Sequence, residues 1–532
     1  MSAGNDPQRE RALEHIHANE NRDVLVIGGG ITGAGILREA ARRGLSALLV
    51  EQRDFAWGTS SRSSQMVHGG LRYLLSADVA LTRASVRERQ RLLQEAPELV
   101  RSCGYLFLHR RRQRPGPGIM RILLRLYDFF AGTRDYRFVT PPELLMQAPG
   151  LQADGLTGAT GYSDALTDDA RLVWRVLAEA RAAGAHAVNY MAVTALTRDR
   201  QGEVNGATLH DATTGRETTI NAKVVINATG AWADQLNQSR HIRPLRGSHL
   251  VLPAWRLPVA QCVTFLHPSD RRGVFVYPWQ GCTVIGTTDL DHEHALSEEA
   301  AVSAEEITYL LGGVNRQFPG ARLQPDDIQA TWSGVRPVIA GGRRDPSSER
   351  RTHSVWRNRG LITVSGGKLT TFRLIALDAL AAAAERLPAG GRQHPDDRIF
   401  DPPAALPPNL PSALAARLIA RYGASADAVL DRAREDELAP VAHTPVRWLE
   451  IREAARNEAV VHLDDLLLRR TRLGLLLPEG GAAWLAPIME IVAAEKGWDA
   501  QRQQQELHAW HTLYRTCYSV PASAATTATE NL

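Results

Sequence analysis

Asp23-Val-Leu-Val-Ile-Gly-Gly-Gly-Ile-Thr-Gly33 decides the fold. Its first half is a short apolar run that ends in glycine, the mark of a strand buried on both faces of a parallel sheet. Ile31 to Arg43 then has helical character, with Gly44 as a stop. Leu45 to Glu51 reads as a second buried strand. Strand, glycine turn, helix and strand make the βαβ unit of a doubly wound fold. Gly28, Gly30 and Gly33 allow a tight turn and a close approach of backbone to a pyrophosphate. The helix that follows offers that anion unpaired N–H groups and its positive dipole end. Glu51 stands where a carboxylate can accept hydrogen bonds from a ribose. None of this separates one dinucleotide from another.

Downstream lies Thr59-Ser-Ser-Arg-Ser-Ser-Gln-Met-Val-His-Gly-Gly-Leu-Arg-Tyr73. Such a hydroxyl-rich run is no core element. It is either a solvated loop or a polar loop that wraps a pyrophosphate and ribityl chain. The second reading selects FAD and gives Thr59, Ser60, Ser64, His68, Gly69 and Gly70 to the cofactor. Two later segments add to it. Thr229-Gly230-Ala231-Trp232 ends a strand. Gly366-Gly367-Lys368-Leu369-Thr370 opens a helix that could face the flavin edge that gains negative charge on reduction. Thr229, Gly230, Trp232, Gly367, Leu369 and Thr370 complete the expected cofactor set.

The fold expected is α/β: a Rossmann-like FAD-binding domain, an inserted β-rich substrate (cap) domain and a C-terminal α-helical domain. Residues 1–21 read as a polar arm or helix. The FAD-binding domain is discontinuous over 22–395 (about 22–100, 160–240 and 350–395), interleaved with a substrate domain (about 101–159 and 241–349). A linker rich in proline and aspartate covers 396–411, helical pattern covers 412–518, and 519–532 is a small, polar tail.

The motifs resemble those of the FAD-dependent, respiratory glycerol-3-phosphate dehydrogenase family. The resemblance is carried by Ile27 to Gly33, Thr59 to Leu74, Asn227 to Trp232, Arg246-Gly-Ser-His249, Ile285-Gly-Thr-Thr-Asp289, Thr331 to Pro337 and Ser365 to Thr371. A C-terminal echo, Glu450 with Glu453 and Leu463 to Arg472, fits as well. Gln65 departs from the lysine often seen in the family, and Phe372 from its tyrosine. The resemblance implies sn-glycerol 3-phosphate as substrate and dihydroxyacetone phosphate as product, with hydride passing to flavin N5. It also implies a quinone acceptor, a monotopic attachment to the cytoplasmic side of the inner membrane, and a homodimer.

A dianionic substrate needs converging cations. Arg72, Arg336 and Lys368 are the candidates, with the Tyr73 hydroxyl as a neutral donor. Each could instead be a surface or structural side chain. His249 and His68 are the histidines inside motifs. His68 sits among cofactor-loop glycines, which favours a flavin contact. His249 could be the base that takes the C2 hydroxyl proton, or a satisfied structural histidine; Arg336 could assist by its charge. Arg336, His249 and Lys368 therefore form the expected catalytic set.

Composition narrows the rest. The formal net charge of +4 gives no reason to expect nucleic acid. Lysine occurs only at Lys223, Lys368 and Lys496. Cys103, Cys262, Cys282 and Cys517 are scattered, with no metal spacing, so no metal is expected. Ser2 to Arg22 lacks the apolar core of a signal peptide, and no run approaches the ~18 apolar residues of a membrane span. The best candidate for contact with a bilayer is Arg110 to Phe130, with Arg121 and Arg125 on an otherwise apolar helix; a buried helix is the alternative. Three rival functions remain: an oxidase of the same substrate using oxygen, a flavoenzyme oxidising D-amino or N-methyl amino acids, and a flavin-binding sensor.

Overall fold

A computed structural model describes residues 7–18, 21–71, 79–237, 240–341, 352–388 and 397–524. Arg72 and Tyr73 lie outside the described residues.

The strand Arg22–Ile27 is central to the first sheet. It pairs in parallel with Ala47–Val50 on one side and with Glu217–Asn227 on the other. His186–Val188 extends the first side in parallel, and Leu361–Gly366 extends the second. His353–Asn358 closes that edge antiparallel. Val24, Leu25 and Val26 are fully buried, as an apolar run covered on both faces requires. The chain moves outward from Arg22–Ile27 in both directions, so the switch point of the doubly wound sheet falls there.

The second sheet is large and mostly antiparallel. Val100–Arg110 pairs with Leu156–Thr167 and, in parallel, with Cys262–Leu266. The sheet continues through Gly273–Trp279 and Cys282–Gly286 to Ile242–Pro253, which also pairs with Ala330–Ile339. Met66–Val67 pairs with Leu166 and Ala165, so the hydroxyl-rich segment runs from one sheet to the other. Leu156–Thr167 lies wholly in the second sheet and crosses the border expected at 160. The reason is register: both ends pair with the same strand, Val100–Arg110.

Of the polar arm or helix expected at the N-terminus, the helix forms among the described residues. Helix Pro7–His17 buries Ala12 and Ile16 against the first sheet, and Arg9 donates to Asn189 O. In the linker, Ile399 and Phe400 are fully buried, and Glu95 accepts from both of their amides. Helix Ala304–Gln317, capped by Ser303 and Glu306, stands inside the β-rich region. Beyond the linker the chain is helical, with Ser412–Tyr422, Trp448–Asn457, Leu485–Lys496 and Ala500–Leu513 as its longer helices.

Candidate active site

The parallel strands finish level. Ile27 is in register with both Val50 and Asn227, and Asn227 with Thr363. Beyond these ends lies a cavity of about 520 Å³, within the ordinary range for ligand sites. Its walls gather residues far apart in sequence. Gly28, Gly30, Glu51, Thr59, Ser60, Ser64, His68, Thr229, Gly230, Trp232, Gly367, Leu369 and Thr370 all line it, and so do Arg336 and Lys368.

The glycine turn has the shape a pyrophosphate needs. Gly28 has φ +113°, and a Cβ there would lie 2.6 Å from Ala228 O. A Cβ at Gly33 would lie 1.9 Å from Gly28 O, so any side chain would push helix Ile31–Arg42 off the strand. Gly33 thus acts through packing and does not line the cavity. Ser60 Oγ accepts from Ile31 N (3.0 Å), which ties the hydroxyl-rich loop to the start of that helix. Glu51 accepts from Gly29 N (2.6 Å) and Arg53 N (3.0 Å). Burial raises its carboxyl above the ordinary range, and those two amides oppose the rise. On the far side, buried Asn227 shapes the turn: its Oδ1 accepts from Thr229 Oγ1 (2.7 Å) and its Nδ2 donates to Ala233 O (2.9 Å). These groups fit a dinucleotide carrying a flavin, with a narrow glycine cradle, a buried carboxylate at the end of the second strand and a polar loop beside it.

Similar proteins identify the family. A family model described as FAD dependent oxidoreductase matches residues 23–379, and one described as C-terminal domain of alpha-glycerophosphate oxidase matches 366–503. Glycerol-3-phosphate dehydrogenase of Mycobacterium leprae is 35% identical over 533 residues, covering 95% of this chain and 90% of that one. Aerobic glycerol-3-phosphate dehydrogenase of Bacillus subtilis is 34% identical over 499 residues, covering 87% and 89%. The chain belongs to the FAD-dependent glycerol-3-phosphate dehydrogenase family. Its backbone is similar to that of the solved glycerol-3-phosphate dehydrogenase from Bacillus halodurans complexed with FAD, with a TM-score of 0.75, 28% identity and coverage of 96% and 97%.

In this member of the glycerol-3-phosphate dehydrogenase family, Arg336 and Lys368 reach the cavity from different elements. Arg336 comes from the second sheet. Its Nη1 is 3.3 Å from Asp289 Oδ1, and its Nη2 is 3.3 Å from Thr287 Oγ1. Lys368 comes from the first sheet, just before the turn Leu369–Thr371, and its Nζ donates to Ser85 Oγ (2.7 Å). The cavity thus has a cation from each sheet.

Of the two alternatives expected for His249, a base or a structural histidine, its surroundings favour the second. His249 is fully buried and does not line the cavity. Its ring stacks on Trp332 at 5.0 Å, and its Nε2 stands 2.9 Å from Ser64 Oγ. Burial, then the charge of Arg336, holds its pKa well below the ordinary imidazole value. A neutral ring set behind Ser64 is poorly placed to receive a proton from a substrate in the cavity. His68 does line the cavity, and Thr370 Oγ1 donates to its carbonyl (3.1 Å).

Gly69 and Gly70 stay behind the wall. Gly69 N donates to the Tyr127 hydroxyl (2.9 Å) and to Asp164 Oδ1 (3.1 Å). A Cβ on Gly69 would lie 2.1 Å from that hydroxyl, so the glycine gives Tyr127 its place.

Sequence reasoning passed over Arg62, Trp57 and Asp289. Arg62 lines the cavity, pairs with Glu299, and lies 5.0 Å from the Trp57 ring centroid. Its signal was present, as a lone cation inside the hydroxyl-rich run.

Proposed function

We propose that this cavity binds FAD and sn-glycerol 3-phosphate side by side, and that the protein oxidises the substrate to dihydroxyacetone phosphate. FAD, when bound, supplies at its N5 the acceptor for the hydride leaving substrate C2. Gly28, Gly30 and the start of helix Ile31–Arg42 would hold the pyrophosphate, and Glu51 a ribose. The Thr59–Ser64 loop, Thr229 to Trp232 and Gly367 to Thr370 would form the remaining walls.

The observation that carries this reading is the convergence of Arg336 and Lys368 on the cavity that the glycine turn lines. A phosphate dianion in a partly closed site requires opposite charge, and a guanidinium with an ammonium provides it. Asp289 and Thr287 orient Arg336 without covering it, since its side chain keeps 22% exposure. Arg72 and Tyr73 stay in the proposal as further phosphate ligands. His249 enters as the residue that holds Ser64. The test is turnover with a dye acceptor on sn-glycerol 3-phosphate, glycerol and glycine. Turnover of the phosphate ester alone is expected; turnover of glycine alone would establish the amine-oxidising rival.

Electrons are proposed to pass to a membrane quinone. Helix Pro117–Ala131 supports this. It buries Met120, Leu124 and Tyr127 but exposes Ile119 (52%), Ile122 (68%), Leu126 (37%) and Phe129 (78%) along one stripe. Arg121 and Arg125 are exposed beside them. Apolar side chains flanked by cations suit the surface of an anionic bilayer. No helix among the described residues is long and apolar enough to cross a membrane. Anaerobic reduction of a quinone analogue tests this acceptor; peroxide formed in step with product would assign oxygen instead.

A further inference from the structure

We propose that the C-terminal helical domain serves the cofactor site through the Thr59–Ser64 loop, and that Arg472 is a positioning residue which fixes the shape of that loop. The proposal rests on the reading of the cavity as the FAD site. The loop contains a single helical turn, Thr59–Ser61, so its shape must come from what it touches.

Arg472 follows the helical stretch Asp465–Arg470, has φ +66° and is 1% exposed. Its Nη1 donates to Ser61 O (3.0 Å), a backbone group of the loop itself. Its Nε donates to Asp168 Oδ1 (3.0 Å), and its Nη2 pairs with Asp169. Asp169 carries the link onward. Its Oδ2 accepts from Ser63 N (2.9 Å) and Ser63 Oγ (2.7 Å), and its amide donates to Gln65 Oε1 (3.0 Å). One buried cation is thus linked to Ser61 directly and to Ser63 and Gln65 through Asp169, by its carboxylate and its amide respectively. Ser63 and Ser64 face the cavity, whereas Arg472 does not. It therefore acts through the loop.

Docking of the domain alone does not require this arrangement. Arg171, on the same helix as Asp169, already joins the two parts. Its side chain donates to both Glu458 carboxylate oxygens (2.7 and 2.8 Å) and to Arg421 O, none of them in the loop. Arg472 differs in ending on a loop carbonyl. A buried, charge-assisted network holds its members in one geometry, and a loop shaped in advance binds its ligand more tightly.

The experiment measures FAD release from diluted holoenzyme, followed by the rise in flavin fluorescence. Arg472→Gln should speed release by about tenfold or more, the equivalent of one charge-assisted hydrogen bond. Ser63→Ala should speed it by a smaller factor, and turnover of both variants should recover with saturating FAD. Arg171→Gln should lower thermal stability yet leave release within about twofold of wild type. Wild-type release from Arg472→Gln would overturn the proposal, as would equal acceleration by Arg171→Gln. Should Arg472→Gln not fold, unchanged release from Ser63→Ala overturns it. Gly33→Ala distinguishes the underlying reading: full retention of FAD there would show that the cofactor lies elsewhere, and both claims would fall.

Discussion

Ser64 Oγ and His249 Nε2 lie 2.9 Å apart, and that bond puts the imidazole behind the cavity wall. The ring is neutral because burial and Arg336 keep its pKa well below the ordinary value of 6.5. His249→Phe preserves the stack on Trp332 but leaves the Ser64 hydroxyl without its partner. We expect FAD affinity to fall by about tenfold or less. With FAD saturating, the acid limb of the kcat–pH profile should persist; its disappearance would make His249 the base.

Arg336→Ala removes one of three described cations that line the cavity, the others being Lys368 and Arg62, which pairs with Glu299. KM for sn-glycerol 3-phosphate should rise and kcat/KM fall by about hundredfold, or about 3 kcal/mol. Bound FAD should remain, as judged by the flavin absorbance of the purified variant. Arg336→Lys keeps the charge without the planar fork and should recover only part of the loss.

Asp54 marks how firmly the C-terminal helical domain is attached. It is fully buried between Arg469 and Arg470, which reach it with contacts of 2.5 to 2.8 Å. Burial alone would raise its pKa; the two guanidiniums more than offset this and bring it from 3.8 to about 2. A folded value below the unfolded one gives stability that is complete above the unfolded value and declines as pH falls toward the folded one. Asp54→Ala should cost about 3–5 kcal/mol at neutral pH because two buried cations lose their anion. In urea titrations, the gap between wild type and variant should narrow from about pH 5 to about pH 2. A gap that stays constant would refute the assigned pairing.

Ile122→Asp combined with Phe129→Asp places two charges on the exposed stripe of helix Pro117–Ala131. Partition onto phosphatidylglycerol vesicles should drop by more than about tenfold, as expected for losing two buried apolar side chains. FAD content should be unchanged. Undiminished vesicle binding would move the membrane contact elsewhere.

What was legible in the sequence follows from range. The βαβ unit from Asp23 to Glu51 is local, and its strands, turn and helix stand where the pattern puts them. Part of the cavity wall was legible as motifs, because Gly28, Thr229 and Gly367 follow the ends of strands, whereas Met191, Val193 and Thr194 line it from a strand no motif marked. Partners across the chain were not legible. Arg472 and Ser61 are 411 residues apart, and nothing in the helical spacing of Arg469, Arg470 and Arg472 names the aspartates they reach. His249 shows the same limit. Its motif marks it as close to the site, but only the packing of Trp332 and Gly286 around its ring shows which side of Ser64 it occupies. The division at residue 160 failed because a long strand's register is invisible to local composition.

The most direct test of the central claim is anaerobic addition of sn-glycerol 3-phosphate to purified holoenzyme while the absorbance of the oxidised flavin is followed. The account predicts full bleaching in wild type, much slower bleaching in Arg336→Ala at the same substrate concentration, and none with glycerol. A flavin that stays oxidised with the phosphate ester, or one that glycerol bleaches equally well, would contradict it.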